Sequence, residues 1–155
     1  MSPAGNATST RRATAADAPL AAACGHAVYA HYAGRICQEP APMQDDYARV
    51  IAERQVYVAE VRGALAGVLV VAAAEKDFLL ENVAVAPQYQ GIGVGRALLK
   101  LAESLARAQG HDAIRLYTHE RMTENQSLYA KIGYVEYERR AEDGFARVFM
   151  RKRLA

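Results

Sequence analysis

The sequence predicts a single α/β domain of the α+β type, with a mixed, mostly antiparallel sheet of about six to seven strands flanked by helices. Three observations carry this. The chain has 155 residues, the length of one ordinary domain, and no repeat or linker divides it. A helix-like first third gives way at Gln55 to strand-like runs. From Phe78 to Thr118 a strand, a helix and a strand then follow one another, an order that makes a right-handed crossover and therefore a parallel pair inside the sheet.

The first eight residues are small and polar and are expected to form a disordered tail, leaving 9–155 as the domain. Thr10 to Ala13 suits a short first strand. Thr14 or Asp17 caps a helix running to about Ala33, with Pro19 in its first turn, where proline is tolerated. Gly34 to Pro42, with two prolines, reads as a loop, and Asp45 or Asp46 next to Tyr47, Val50 and Ile51 opens a short helix ending near Arg54. Val56–Val61, Leu65–Ala73 and Phe78–Val85 form an antiparallel meander, broken by Arg62-Gly63 and Glu75-Lys76-Asp77. Val94, Ala97, Leu98, Leu101, Ala102, Leu105 and Ala106 recur at helical spacing, and Gly110 ends that helix. Ala113–Thr118 returns to strand, parallel to Phe78–Val85. Thr123–Ile132 is a helix with a capping box from Thr123 to Gln126 and a stop at Gly133. Tyr134–Arg139 and Phe145–Arg151 close the chain as a hairpin through Glu142-Asp143-Gly144.

Composition narrows the function. Nineteen Lys and Arg against seventeen Asp and Glu leave a net charge of +2, too little for the broad basic face of a nucleic-acid binder, though a local basic pocket is allowed. No apolar run approaches the ~20 residues of a membrane helix, and the start MSPAGNATST lacks the marks of a signal peptide, so a cytoplasmic protein without a membrane partner is expected. Cys24 and Cys37 are the two cysteines; with no CxxC and no histidine at ligand spacing, they predict reduced structural thiols and no metal. Nine tyrosines stand against three phenylalanines and no tryptophan, so most rings carry a hydroxyl that needs a partner when buried.

The chemistry concentrates in Val83-Ala84-Val85-Ala86-Pro87-Gln88-Tyr89-Gln90-Gly91-Ile92-Gly93-Val94-Gly95-Arg96, where a strand runs through a glycine-rich turn into the long helix. Glycines let a backbone approach a ligand closely, and the free N–H groups and dipole of a helix start favour a pyrophosphate. A dinucleotide fingerprint would need glycine where Arg96 stands, and a Walker loop needs a Gly-Lys-Ser/Thr that the chain lacks.

Gln90-Gly91-Ile92-Gly93-Val94-Gly95 resembles the Q/R-x-x-G-x-G/A signature of the GNAT superfamily of N-acetyltransferases. A second block at Asn125, Ser127, Leu128, Tyr129, Lys131, Gly133 and Tyr134 is similar to the one that family carries, and the order of elements agrees from about Thr10 to Leu154. The resemblance implies that acetyl-coenzyme A lies where two parallel strands splay. The backbone of Val83, Ala84 and Val85 would hold its pantetheine arm, the turn Gln90, Gly91, Ile92, Gly93, Val94, Gly95 and Arg96 its pyrophosphate, and Asn125, Tyr129 and Lys131 would add contacts. Arg96 is either a phosphate ligand or a solvated side chain, and Asn125 either orients the coenzyme or caps its helix. Family members are often dimers through their last strands, which would use the edge left by Phe145 to Leu154.

Acetyl transfer to an amine needs a base for the ammonium proton and an acid for the departing thiolate. Tyr129 is the expected acid, with a buried core tyrosine as the alternative. Glu81, read as sharing a strand face with Val83 and Val85, is the expected base, with a rim salt bridge as the alternative and His119, Glu120 or Glu124 as substitutes. The acceptor wall is expected from Tyr29, Tyr32, Met43, Tyr47, Glu81 and Tyr117. Aromatics with Asp45 and Asp46 suit a cation, so the expected acceptor is a small primary amine, although both aspartates also suit helix capping. Acetylation of a protein N-terminus or lysine, and coenzyme binding without turnover, are the other readings.

Overall fold

The computed structural model describes residues 8–24, 47–73, 77–120, 123–142 and 145–154. Residues 1–7 of the expected tail, residues 25–46 with the end of the expected first helix, the expected loop and Tyr29, Tyr32, Met43, Asp45 and Asp46, and the expected turns at 74–76 and 143–144 lie outside the described residues. The strands are β1 (Thr8–Arg12), β2 (Gln55–Val61), β3 (Ala64–Ala73), β4 (Phe78–Val85), β5 (Ala113–His119), β6 (Val135–Glu142) and β7 (Phe145–Arg153). The helices are α1 (18–24 of the described chain), α2 (Tyr47–Glu53), α3 (Val94–Ala108) and α4 (Thr123–Lys131).

The seven strands form one sheet in the order β1-β2-β3-β4-β5-β7-β6. Every neighbouring pair is antiparallel except β4 and β5, the pair joined by the crossover through α3. This is the mixed sheet the sequence predicts, with one correction. Phe145 to Leu154 does not leave an edge, because β7 is inserted between β5 and β6; among the described strands the edges are β1 and β6. The final hairpin therefore adds its second strand next to β5 and pushes its first strand outward.

Apolar residues leave the sheet on both sides. Val56, Val58, Val68, Val70 and Ala84 pack with Ala21, Cys24 and Tyr47 of α1 and α2. Leu69, Val71, Phe78, Leu80, Ile114, Leu116, Val148 and Met150 pack with Val94, Leu98, Leu99 and Ala102 of α3 and with Tyr129 of α4. Full burial of one such leucine contributes about 1.5–3 kcal/mol. Gly67 sets how closely α3 approaches. A Cβ there would stand 2.9 Å from both the Ala84 carbonyl oxygen and Leu98 Cδ1 and 3.2 Å from Val94 Cγ1, so only a hydrogen at this position lets the start of α3 lie on β3 and β4.

A bulge interrupts β4. Val71 pairs with Leu80 and Val70 with Asn82, so Glu81 is the extra residue between them. The insertion shifts the alternation: Phe78 and Leu80 point to the α3 side, and beyond the bulge so do Val83 and Val85. The expected common face of Glu81, Val83 and Val85 assumes an unbroken pleat, and the bulge removes it.

Candidate active site

The parallel pairing of β4 with β5 is limited to Phe78–Ile114, Leu79–Arg115 and Leu80–Leu116. Beyond Leu80, β4 stays on β3 up to the pair Val85–Gly67, while β5 stays on β7 up to the pair His119–Arg147. Each strand follows its outer neighbour, and the two part. The β5-facing edge of β4 from Glu81 to Val85 thereby loses its ladder, leaving backbone groups at the gap that require another partner.

The glycine turn closes the α3 side of this gap. Gly91 and Gly93 have φ of +84° and +95°, a region costly for residues with a Cβ, and among the described residues no atom beyond their chain neighbours lies within 4 Å of where their Cβ atoms would be. Gln90 folds back, its Nε2 donating to the Val85 carbonyl at 3.1 Å, which ties the turn to the end of β4. The first helical bond of α3 runs from the Ala97 N–H to the Gly93 carbonyl at 3.0 Å. The N–H groups of Val94, Gly95 and Arg96 precede that ladder, no side chain caps them and no acidic residue occupies the first turn. Uncapped N–H groups at the positive end of a fifteen-residue helix make a seat for an anion. Gly95 differs from the other two: it has no positive φ, and a Cβ on it would meet Val85 Cγ2 at 3.5 Å and Leu128 Cδ2 at 3.9 Å, ordinary contact distances. Arg96 is exposed, as is Lys131 in the last turn of α4.

The two expected catalytic side chains lie on opposite faces of the sheet. Tyr129 is buried in the α3-side core, its ring 5.8 Å from that of Tyr134. The Tyr134 hydroxyl is buried without a hydrogen-bond partner among the described residues, and burial pushes its pKa above the usual tyrosine range. Glu81 lies on the α2 side, with Arg54 Nε 3.3 Å from its Oε2. Its neighbour Asn82 donates from Nδ2 to the buried Tyr47 hydroxyl at 3.4 Å. Tyr47 thus belongs to the core beneath α2 rather than to an open wall, but it holds the part of β4 that has left β5.

Tyr117 directly follows Leu116, the last residue of β5 paired with β4. Its side chain points away from the α3-side core and begins a row of rings: Phe149 lies 5.8 Å from Tyr117, and Tyr137 lies 6.3 Å from Phe149. Each ring carries a guanidinium, with Arg147 over Tyr117 at 4.4 Å, Arg140 over Phe149 at 4.3 Å and Arg151 over Tyr137 at 5.4 Å. Asp77 pairs with Arg115 and Glu138 with Arg140 on the same side. Sequence reasoning missed this row and Gly67, although the alternation Arg147-Val148-Phe149-Met150-Arg151 carries the signal for the row. His119 ends β5, and Glu124 and Asn125 lie in the first turn of α4, but their side chains are outside the described ones. Glu120 is exposed, with its N–H bonded to the Ala146 carbonyl at 3.0 Å.

Residues 52–136 match the family model described as the acetyltransferase (GNAT) domain. No curated protein sequence matches the chain. Among solved structures, the PaiA N-acetyltransferase of Thermoplasma acidophilum in complex with coenzyme A is similar with a TM-score of 0.81 at 16% identity, covering 95% of this chain and 99% of its own. The ribosomal-protein-S18-alanine N-acetyltransferase of Escherichia coli gives 0.72 at 20% identity, covering 96% of this chain and 95% of its own. A GNAT family acetyltransferase from Elizabethkingia anophelis with acetyl-CoA bound gives 0.67 at 18% identity, covering 95% and 98%. With the family model matched over more than half of this chain, the protein belongs to the GNAT acetyltransferase family.

Proposed function

We propose that the protein transfers the acetyl group of acetyl-coenzyme A to a small primary amine. The observation that carries this is the strand gap that begins past Leu80–Leu116, next to uncapped N–H groups at Val94, Gly95 and Arg96. A pyrophosphate fits the helix start, and an extended amide chain fits the unladdered edge of β4. Coenzyme-bound relatives of the same fold agree with this assignment.

Glu81, directly or through a water, takes a proton from the acceptor ammonium on the α2 face. The freed amine attacks the thioester carbonyl held in the gap, and the tetrahedral adduct collapses to the amide as the C–S bond breaks. Tyr129 donates its hydroxyl proton to the leaving thiolate from the α3 side and regains one from solvent, to which the adduct nitrogen gives up its second proton. Supporting this division is the placement of the two side chains on opposite faces of the sheet. The buried Cys24 thiol, which forms no disulfide among the described residues, fits a reducing, cytoplasmic setting. A homodimer built by strand pairing would use β6 or β1 as its edge.

Free-thiol release from acetyl-coenzyme A across a panel of amines and peptides tests the reading, comparing wild type with Tyr129→Phe and Glu81→Gln. Release with amines and its loss in both variants is the expected result. Release with peptides alone would move the assignment to protein acetylation. Tight coenzyme binding with no release from any acceptor would leave a coenzyme-binding protein without turnover.

A further inference from the structure

Tyr129 stands near the end of α4, a helix of nine residues, and the last turn of a short helix is the part most free to fray. Here a specific cap closes it. The Tyr134 N–H donates to the Tyr129 carbonyl at 3.0 Å and the Gly133 N–H to the Ala130 carbonyl at 3.1 Å, while Gly133 turns the chain at φ +106°. These two bonds around a left-handed glycine make a Schellman motif, in which the residue after the glycine also packs on the residue that accepts its N–H. Both of those residues are tyrosines: the Tyr134 ring lies 5.8 Å from that of Tyr129, inclined by 59°. Neighbouring elements hold the cap as well. Lys152 of β7 passes so close that a Cβ on Gly133 would stand 3.2 Å from Lys152 Cε, and Lys152 Nζ pairs with Glu103 of α3 at 2.9 Å.

The Tyr134 side chain is buried, yet its hydroxyl has no hydrogen-bond partner among the described residues. Such a hydroxyl costs stability and holds nothing in place, so the side chain acts through its ring. Resting on the acetyltransferase reading with Tyr129 as the acid, we infer that Tyr134 is a positioning residue for the transfer. Its N–H fixes the backbone of Tyr129, and its ring fixes the direction of the Tyr129 ring. Proton donation to a departing sulfur needs the donor held to about 0.5 Å, which a fraying helix end does not supply.

The test measures thiol release from acetyl-coenzyme A with tyramine, spermidine and an alanine-ended peptide, the fastest acceptor being carried forward, beside calorimetric coenzyme binding and thermal melting. Tyr134→Leu keeps an apolar side chain and removes the ring; kcat should fall about five- to tenfold with KM and coenzyme affinity unchanged. Tyr134→Phe keeps the ring and deletes the unpaired hydroxyl; kcat should match wild type and the melting temperature should rise. Gly133→Ala strains the cap and leaves both rings; it should also lower kcat, and it stands in should Tyr134→Leu unfold. Leu154→Ala lies in the same core but beside Asp112, ahead of β5 and away from the gap; it should lower the melting temperature and leave kcat alone. In a Tyr129→Phe background, Tyr134→Leu should lower kcat no further, because its effect on the rate passes through the Tyr129 hydroxyl.

Three results would overturn the inference and leave Tyr129 as the acid: a wild-type rate in Tyr134→Leu beside a slow Tyr129→Phe, an equal loss in Tyr134→Phe and Tyr134→Leu, or losses that multiply in the double variant. A full rate in Tyr129→Phe would overturn the acid assignment and the inference with it. Absence of thiol release from every amine and peptide would overturn acetyl transfer itself, and the inference with it.

Discussion

Glu81 and Tyr129 stand on opposite faces of one sheet: Glu81 Oε2 lies 3.3 Å from Arg54 Nε on the α2 side, while the Tyr129 ring packs beneath α3, 5.8 Å from Tyr134. In the proposed transfer, the gap past Leu80–Leu116 is the opening through which the two would reach one molecule.

A half-buried carboxylate paired with an arginine has two roles to choose between, and two variants separate them. As the base, Glu81→Gln lowers kcat by about 10²–10⁴ with coenzyme affinity retained. As a structural ion pair, Glu81→Gln and Arg54→Gln would each cost at most about 1 kcal/mol of stability and leave kcat alone. Steady-state kinetics beside denaturant melts read both quantities. The loss of kcat in Glu81→Gln is the expected result.

Tyr129→Phe keeps the ring that packs against Tyr134 and removes the hydroxyl. Stability should fall by no more than about 1.5 kcal/mol, the net worth of a typical hydrogen bond, while the rate falls at least tenfold at saturating coenzyme. An unchanged rate would return Tyr129 to the core as a structural residue.

The glycines should separate by geometry rather than by motif. Gly67→Ala drives a Cβ to 2.9 Å from the Ala84 carbonyl and should destabilise by about 1–3 kcal/mol. Gly93→Ala, at φ +95°, should cost about 1–2 kcal/mol. Gly95→Ala has ordinary contacts and a helical backbone, and should be neutral or stabilising by up to about 1 kcal/mol. Equal effects in urea melts would contradict this ordering.

Asp17 receives a two-pronged bond from Arg11, Nη1 to Oδ2 and Nη2 to Oδ1 at 2.8 Å each, and the Thr14 N–H at 2.7 Å. The Arg11 hydrogen bonds first, then the Thr14 N–H, hold its carboxyl well below the usual aspartate range. A carboxyl lowered on folding stabilises the native state above its unfolded pKa, about 3.9, and loses that contribution as pH falls toward the folded value. Wild type should therefore lose stability between about pH 4 and pH 2 more steeply than Asp17→Asn, as thermal melts across that range would read.

Most of the fold was legible because it is written in local periods. The meander β2 to β4, the helix Val94–Ala108 and the crossover to β5 follow from alternation, helical spacing and glycine stops. The glycine turn was legible for the same reason, since positive φ selects glycine at Gly91 and Gly93. The phase of Glu81 was not legible, because a bulge depends on register with β3 and not on any residue of β4 alone. Gly67 escaped notice because its constraint comes from Val94 and Leu98, distant in sequence. The order of the final hairpin likewise rests on which strand pairs with β5, which two similar β-rich segments do not announce.

The most direct test of the coenzyme seat follows backbone amide resonances during titration with coenzyme A. Amides of Gly91, Gly93, Gly95 and Arg96 in the turn, and of Val83 and Val85 on the open edge of β4, should shift together with one affinity. Those of Gly63 and Gly110, in turns away from the gap, should stay in place. Shifts centred on Gly63 or Gly110, or saturation without movement of the turn, would contradict the account.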